Sequence, residues 1–232
     1  MSEKFEFVIE GPTDEKIIFE VRKIINMGRT SRDPSDIMKH LEELKKAGIK
    51  VSPGIPSYNP KISDRITTDN KIEALPNSKT SGEVEYVLLF TSDSYFYITV
   101  GSDHTDRELE KYNVILSKQI CLNVISPKVW RYEDVKDHWD DLIMRAWVKK
   151  NGQRKLYQEG RLVKILRPEE LIEKVRLRVT GDLKGAVIYS GTFPIIDGEL
   201  YFSPYFEMEL LDEHMGRHIK HIYNAKPIAW FK

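Results

Sequence analysis

Glu83 and Glu85 stand two residues apart in an apolar run, Glu83-Val84-Glu85-Tyr86-Val87-Leu88-Leu89-Phe90, and Asp103 follows within Gly101-Ser102-Asp103-His104-Thr105-Asp106-Arg107. On a strand, successive side chains alternate faces, so the two glutamates point the same way. Ser92-Asp93-Ser94 is a turn signal, and Tyr95 to Val100 is aromatic and β-branched. A hairpin there would carry Asp103 back to the glutamates. Three converging carboxylates require a cation, because unit charges about 4 Å apart interact by roughly 4 kcal/mol at an effective dielectric near 20. An oxygen-only ligand set suits Mg²⁺ or Mn²⁺, with positions left for water and substrate. Alternation alone equally allows the glutamates to be the solvated face of an edge strand, and Asp103 to be the cap of the turn at 105–110.

Three other groups could do chemistry. Lys118 lies in Val114 to Cys121, a half-buried stretch where a lysine needs an anionic partner or must reach out to the surface. His40 and Glu43 are three residues apart on an expected helix and could form a hydrogen-bonded dyad at the border of its apolar stripe. His214, His218 and His221 would share a face on a helix and could bind Zn²⁺ or Ni²⁺, whereas strand geometry would put His218 and His221 on opposite faces.

The positioning elements are mainly strands. Phe5 to Ile9 alternates and ends at Gly11-Pro12, and Ile24-Ile25 belongs to an inner strand. Asp33-Pro34-Ser35-Asp36, followed by Ile37, Leu41 and Leu44 and stopped by Gly48, predicts the helix that carries His40. From Val51 to Ser81 the chain is rich in Pro, Ser, Asn and Lys, with strand-like pieces at 64–68 and 71–75, and is expected to wrap the site entrance. Arg107 to Lys111 predicts a helical turn. Tyr132 to Leu142 carries Val135, Trp139 and Leu142 at helical spacing. Arg145 to Lys149 and Arg154 to Tyr157 flank Asn151-Gly152, a dipeptide favoured in type I′ hairpins. Pro168 opens a helix to Val175, and strands return at 186–190, 202–211 and 219–225. The fold class is α+β, strand-dominated, with a few short helices.

A chain of 232 residues with 41% hydrophobic content can bury a full core as a single domain, 1–232. Within it, 1–16 reads as an N-terminal strand and turn and 30–65 as a lid region. Lys plus Arg and Asp plus Glu both number 36, so charge balance advertises neither nucleic acid nor an anionic membrane as partner. The expected partner is a small molecule. The single cysteine, Cys121, excludes an intramolecular disulfide and a cysteine-based zinc cluster. With no apolar signal core at the amino terminus and no long apolar run, the expected location is the cytoplasm.

These motifs, taken in order, resemble the fumarylacetoacetate hydrolase superfamily, and more narrowly an uncharacterised family of this length within or beside it. Glu83-Val84-Glu85 is similar to its Glu-x-Glu strand, Asp103-His104-Thr105-Asp106-Arg107-Glu108 to its Asp-x-Ser/Thr-x-Arg-Asp/Glu segment, and Lys118 to the lysine that follows. Upstream, Ile25-Asn26-Met27-Gly28-Arg29 resembles a strand ending in Gly-Arg, and His40-Leu41-Glu42-Glu43 a His-x-x-Glu dyad. Downstream, Trp147 to Gly152 resembles the family's hairpin, and Gly185 to Thr192 its strand ending in Gly-Thr. The departures are shorter intervals from Glu85 to Asp103 and from Asp103 to Lys118, Glu110 where many members carry glutamine, and Phe193-Pro194-Ile195 after Thr192.

The resemblance implies a mixed β-sandwich roll and a homodimer. It implies Mg²⁺ or Mn²⁺ on Glu83, Glu85 and Asp103, with no organic cofactor. It implies catalytic roles for His40, Glu43 and Lys118, and substrate contacts from Arg29, Glu110 and Thr192. The activity implied is that of a metal-dependent enzyme on a 2-oxo acid or 1,3-dicarbonyl acid, passing through an enolate, with acylpyruvase-like hydrolysis of a C–C bond foremost. Decarboxylation, hydration and isomerisation use the same site, and a non-catalytic metabolite-binding relative is the other class.

Overall fold

A computed structural model describes residues 3–35, 37, 38, 41, 42 and 54–230. The glutamates sit at the start of β8 (Val84–Phe90), the middle of the larger sheet. Its order runs from β2 (Glu15–Glu20) through β1 (Lys4–Ile9), β12 (Lys128–Arg131), β9 (Phe96–Ser102), β8, β15 (Ala186–Tyr189) and β3 (Lys23–Gly28) to β4 (Ser57–Lys61). Two short strands, β11 (Asn123–Ile125) and β5 (Ile66–Thr67), extend it beside β9. A second sheet has the order β14 (Gln153–Arg161), β13 (Ile143–Lys150), β16 (Tyr205–Asp212), β17 (Arg217–Pro227) and β6 (Lys71–Ala74).

Every residue of β8 and β9 is buried, which explains why both read as nearly continuous apolar runs: each is covered on two faces. Val84, Tyr86, Leu88 and Phe90 face the core shared with the second sheet, among Trp139, Met144, Met208 and Leu210. Val87 and Leu89 face the opposite way, onto Phe7, Ile9, Phe19 and Val187. Glu85 shares the parity of this second set, so it leaves the strand on the side away from Trp139. Tyr86 meets Trp139 edge to face, ring centroids 5.0 Å apart, and donates its hydroxyl to Leu166 O at 2.6 Å. Such ring pairs contribute about 0.5–1.5 kcal/mol beyond burial and pin β8 against the segment that leads into β13.

The helices are short. Residues 34, 35, 37, 38, 41 and 42 are helical, capped by Asp33, whose Oδ1 accepts from Ser35 N at 2.8 Å. Two further helices, α1 (Arg107–Glu110) and α2 (Val114–Gln119), follow β9, and α3 is Pro168–Arg176. Tyr132 to Asp141 forms 3₁₀ turns in place of a regular helix, with a kink at His138. In the hairpin β13–β14, Asn151 (φ 52°) and Gly152 (φ 79°) occupy the left-handed region that a type I′ turn requires. The stretch 54–81 holds a strand beyond the strand-like pieces expected at 64–68 and 71–75. Ser57–Lys61, inside the expected lid region 30–65, is an edge strand hydrogen-bonded to β3, with Pro60 tolerated because an edge leaves one side unpaired. The fold is a strand-dominated α+β roll, as the motifs imply.

Candidate metal centre

Hairpin register brings the three carboxylates together. β8 and β9 pair antiparallel, with Val84 opposite Ser102 and Glu85 opposite Gly101, and Asp103 N donates to Glu83 O at 3.1 Å. Just beyond, β7 (Thr80–Ser81) pairs with β10 (Thr105–Asp106), so a second ladder clamps the far side of Glu83 and Asp103. The short hairpin is therefore sufficient, because Asp103 needs only to pass the end of β8. Gly101 is required here: a Cβ would lie 2.7 Å from Tyr189 and Val87 side-chain atoms and 2.9 Å from Val124 O. Asp106, not Asp103, caps α1, accepting from Glu108 N and Leu109 N at 3.0 Å.

One oxygen from each of Glu83, Glu85 and Asp103 lies within 4.8 Å of the others. Glu85 is 1% exposed and Asp103 fully buried. Burial, then the neighbouring Asp103 and Glu83 charges, hold the Glu85 carboxyl well above the usual carboxylate range. Lys118 and the Gly191 N–H, which donates to Glu85 Oε2 at 2.7 Å, oppose this. Gly191 reaches that position with φ 87°, a conformation that favours glycine. Glu83 shows the reverse balance: burial raises it, but Arg107 and Lys118 prevail and hold it down at about 2.

The cations surround this cluster. Lys118, buried in the last turn of α2, donates to Asp103 Oδ2 and to Glu83 Oε2, the latter at 3.4 Å. Burial lowers its pKa, but Asp103 and Glu83 more than offset it and push the ammonium above its ordinary range. Arg107 donates from Nη1 to Glu83 Oε1 at 3.1 Å and Glu110 Oε2 at 2.9 Å, and from Nε to Ser81 Oγ at 2.7 Å. Its pKa too is raised: burial opposes, and Glu83 and Glu110 overcome it.

Asp103 Oδ1 is buried and makes no hydrogen bond. A carboxylate oxygen turned inward without a donor, beside a second carboxyl that burial and like charge keep from ionising, is what an oxygen-seeking divalent cation satisfies. The donor set is all oxygen, without cysteine or histidine, and fits Mg²⁺ or Mn²⁺ better than Zn²⁺.

Of the other predicted residues, His40 and Glu43 lie outside the described residues. Arg29 follows β3 with φ 55° and is half-buried. Thr192 donates from Oγ1 to Val84 O at 2.6 Å and accepts from Gln158 Nε2 at 2.8 Å, so it anchors the start of β8. Glu110 pairs with Arg107. The histidine trio is not a metal site: β17 is a strand, and His214 pairs with Asp141, His218 with Glu209, and His221 with the Asp69 carbonyl. Strand geometry separates what a helix would have aligned.

Three further groups escaped the sequence reading. Lys61, on β4, is 7% exposed and donates to Asn123 Oδ1 at 2.7 Å, with burial lowering its pKa to about 8. Within a Pro- and Asn-rich stretch, nothing marked it as buried. His104 Nδ1 and Ser102 Oγ each lie 2.9 Å from the Tyr223 hydroxyl, and Ser102 Oγ accepts from Glu83 N, a chain that braces the Glu83 backbone from beneath. Burial lowers the His104 pKa to about 3, so its ring is neutral. Gln158, buried on β14, accepts from Val84 N at 3.1 Å and donates to Phe193 O at 2.6 Å besides its bond to Thr192.

The family model described as "Protein of unknown function (DUF2848)" matches residues 27–223. The chain belongs to that family. Sequence comparison with curated proteins gives no match. Among solved structures, this DUF2848 protein is similar to a candidate fumarylpyruvate hydrolase from Burkholderia cenocepacia, at 17% identity and TM-score 0.63 over 99% of this chain and 97% of that one. A yeast protein of the fumarylacetoacetate hydrolase family aligns at 17% identity and TM-score 0.62, over 89% and 93%. A 2-keto-3-deoxy-D-arabinonate dehydratase, complexed with magnesium and 2,5-dioxopentanoate, aligns at 16% identity and TM-score 0.61, over 92% and 76%. The fumarylacetoacetate hydrolase-like fold implied by the motif order is borne out. Among the described residues no helix is long and apolar enough to cross a membrane.

Proposed function

We propose that this DUF2848 protein is a divalent-metal-dependent enzyme acting on a 2-oxo acid or 1,3-dicarbonyl acid through an enolate, with hydrolysis of an acylpyruvate C–C bond as its reaction. The observation that carries this reading is the placement of three carboxylates within 4.8 Å of one another around the buried ammonium of Lys118. A divalent ion held by Glu83, Glu85 and Asp103 would supply Lewis acidity to a carbonyl oxygen. Lys118 places fixed positive charge where the enolate oxygen develops, in a site dry enough for that charge to act strongly. Arg107 keeps Glu83 ionised. Lys61, a buried ammonium that donates to the neutral amide of Asn123, suits the substrate carboxylate.

In the hydrolysis, a water oxygen bonds to the acyl carbon while the bond from that carbon to the pyruvyl methylene breaks. Its electron pair becomes the enolate, and a proton returned to carbon completes pyruvate and the free acid. His40, with Glu43, is assigned the water proton on the motif resemblance alone. Dehydration of a 2-keto-3-deoxy acid is the second reading, favoured by the magnesium-bound dehydratase with the same fold.

Release of pyruvate from acetylpyruvate, with and without Mg²⁺ or Mn²⁺, tests the proposal in the native protein and in a Glu83→Ala, Glu85→Ala double variant. We expect metal-dependent turnover that the double variant loses by at least about 10³-fold, on the scale of removing electrostatic stabilisation. Turnover indifferent to metal and to the substitutions, or none with either acetylpyruvate or a 2-keto-3-deoxy acid, would refute it.

A further inference from the structure

The residues on either side of Asp103 are tied to one atom. The Tyr223 hydroxyl lies 2.9 Å from Ser102 Oγ and 2.9 Å from His104 Nδ1. A phenol both donates and accepts, so it links the two side chains whichever way the protons run. Ser102 Oγ in turn accepts from Glu83 N at 3.2 Å, and Asp103 N donates to Glu83 O at 3.1 Å. Asp103 and Glu83 are thus held by a ring of hydrogen bonds that closes on a residue of β17, in the second sheet.

The surroundings of that hydroxyl are tight. Tyr223, Ser102 and Asp103 are fully buried. His104 meets the Tyr223 ring edge to face with centroids 5.6 Å apart, and Phe206 packs on it at 5.5 Å. Gly82, the residue before Glu83, leaves the hydroxyl its place: a Cβ there would lie 2.6 Å from Tyr223 Oη, 2.7 Å from Ser102 Oγ and 2.8 Å from Phe206 Cδ2. A side chain at 82 would displace either the tyrosine or the start of the segment that carries Glu83.

Small and large divalent ions make different demands on such a support. Mg²⁺ requires near-octahedral oxygen ligands at about 2.0–2.1 Å, whereas Ca²⁺ accepts oxygens at about 2.3–2.6 Å in flexible arrangements. Glu83, Glu85 and Asp103 present oxygens within 4.8 Å of one another, and gathering carboxylates around the smaller ion works harder against their mutual repulsion. We infer that Tyr223 is a positioning residue: through Ser102 and His104 it fixes Asp103 and Glu83 closely enough for the site to prefer Mg²⁺ to Ca²⁺. This rests on the metal site of the proposed function and adds to it the residue that sets the choice of ion. Outer-shell partners of metal ligands contribute about 10–100-fold to metal affinity.

The test is titration calorimetry of Mg²⁺ and of Ca²⁺ into the native protein, Tyr223→Phe and Ser102→Ala. The first variant removes one oxygen and keeps the ring; the second removes the acceptor of Glu83 N and carries the test if the first does not fold. We expect each to weaken Mg²⁺ binding about tenfold or more and Ca²⁺ binding about threefold or less, so that the ratio of the two affinities falls. The double variant should lose little more than either alone, because both break one chain of hydrogen bonds. A general loss of stability would weaken both ions alike, so a ratio that neither variant changes overturns the inference and leaves the metal site standing. So does a native protein that binds Ca²⁺ as tightly as Mg²⁺. A native protein that binds neither ion overturns the metal site, and this inference with it.

Discussion

Lys118 and a divalent cation would compete for the charge of the same carboxylates, and Lys118→Met measures that competition. The ammonium donates to Asp103 Oδ2 and Glu83 Oε2, while Asp103 Oδ1 is buried without a donor. Removing Lys118 therefore leaves a fully buried carboxylate with neither oxygen paired to a cation, and Glu83 with Arg107 alone. Breaking a buried pair in this way costs about 3–5 kcal/mol. At about 2–4 °C per kcal/mol for a chain of this size, Tm should fall by roughly 6–20 °C in EDTA. Mg²⁺ replaces the lost charge, and at 100 times its Kd it returns about 2.7 kcal/mol. Because the competing ammonium is gone, Mg²⁺ should bind Lys118→Met at least about tenfold more tightly than the native protein, given some 4 kcal/mol per pair of unit charges at 4 Å and dielectric 20. On the proposed function, turnover should nonetheless be lost, since the group assigned to the enolate has gone. Scanning calorimetry in EDTA and in Mg²⁺, with titration calorimetry for the metal, gives all three quantities. A Tm unchanged in EDTA, or Mg²⁺ affinity no higher than native, would refute the reasoning.

Two further expectations follow from the same geometry. The raised Glu85 carboxyl means that the metal-free folded protein binds a proton there more tightly than the unfolded chain does. Stability should therefore fall as pH rises from the ordinary carboxylate value through the Glu85 value, and saturating Mg²⁺ should abolish that fall; urea unfolding from pH 4.5 upward, with and without Mg²⁺, checks the sign. Gln158→Leu strips partners from Val84 N, Thr192 Oγ1 and Phe193 O together, at about 1–3 kcal/mol for each buried group left unsatisfied. It should lower both stability and Mg²⁺ affinity, because Val84 lies between the two glutamates of the candidate metal site; a variant that loses stability but binds Mg²⁺ as before would show that Gln158 only supports the sheet.

What was legible in the sequence follows from how local each signal is. Glu83 and Glu85 share a face because strand alternation is a backbone property, and Asp103 reaches them because Ser92 to Ser94 turns one strand onto the next with Glu85 opposite Gly101. Asn151-Gly152 and Pro168 likewise act within a few residues of themselves. β4 was missed because Ser-Tyr-Asn-Pro-Lys has no alternation or propensity that marks a strand. It is one because β3 offers an unpaired edge on which to add it, with Asn59 Nδ2 donating to Asn26 O at 3.2 Å. Lys61 follows the same logic, since no lysine in a polar run announces burial. Gln158 was hidden differently: a register shift between Ala146 and Trp147 lets β13 and β14 pair with an irregularity that counting from Asn151 does not anticipate.

The groups that read easily and those that did not divide by function as well. The carboxylates and Lys118 lie on one local hairpin-and-helix unit, so their chemistry could be inferred before their surroundings. The residues that hold them at working distance come from elsewhere: Gln158 from the second sheet, Tyr223 from β17, Gly191 after β15, Lys61 from the sheet edge. A buried triad of like charges is held together only while those distant elements are packed, because Glu85 and Asp103 repel each other as soon as both ionise. Metal binding and the closing of the two sheets should therefore stabilise one another. The Mg²⁺-dependent part of Tm should shrink in any variant that loosens the second sheet, even one far from the carboxylates.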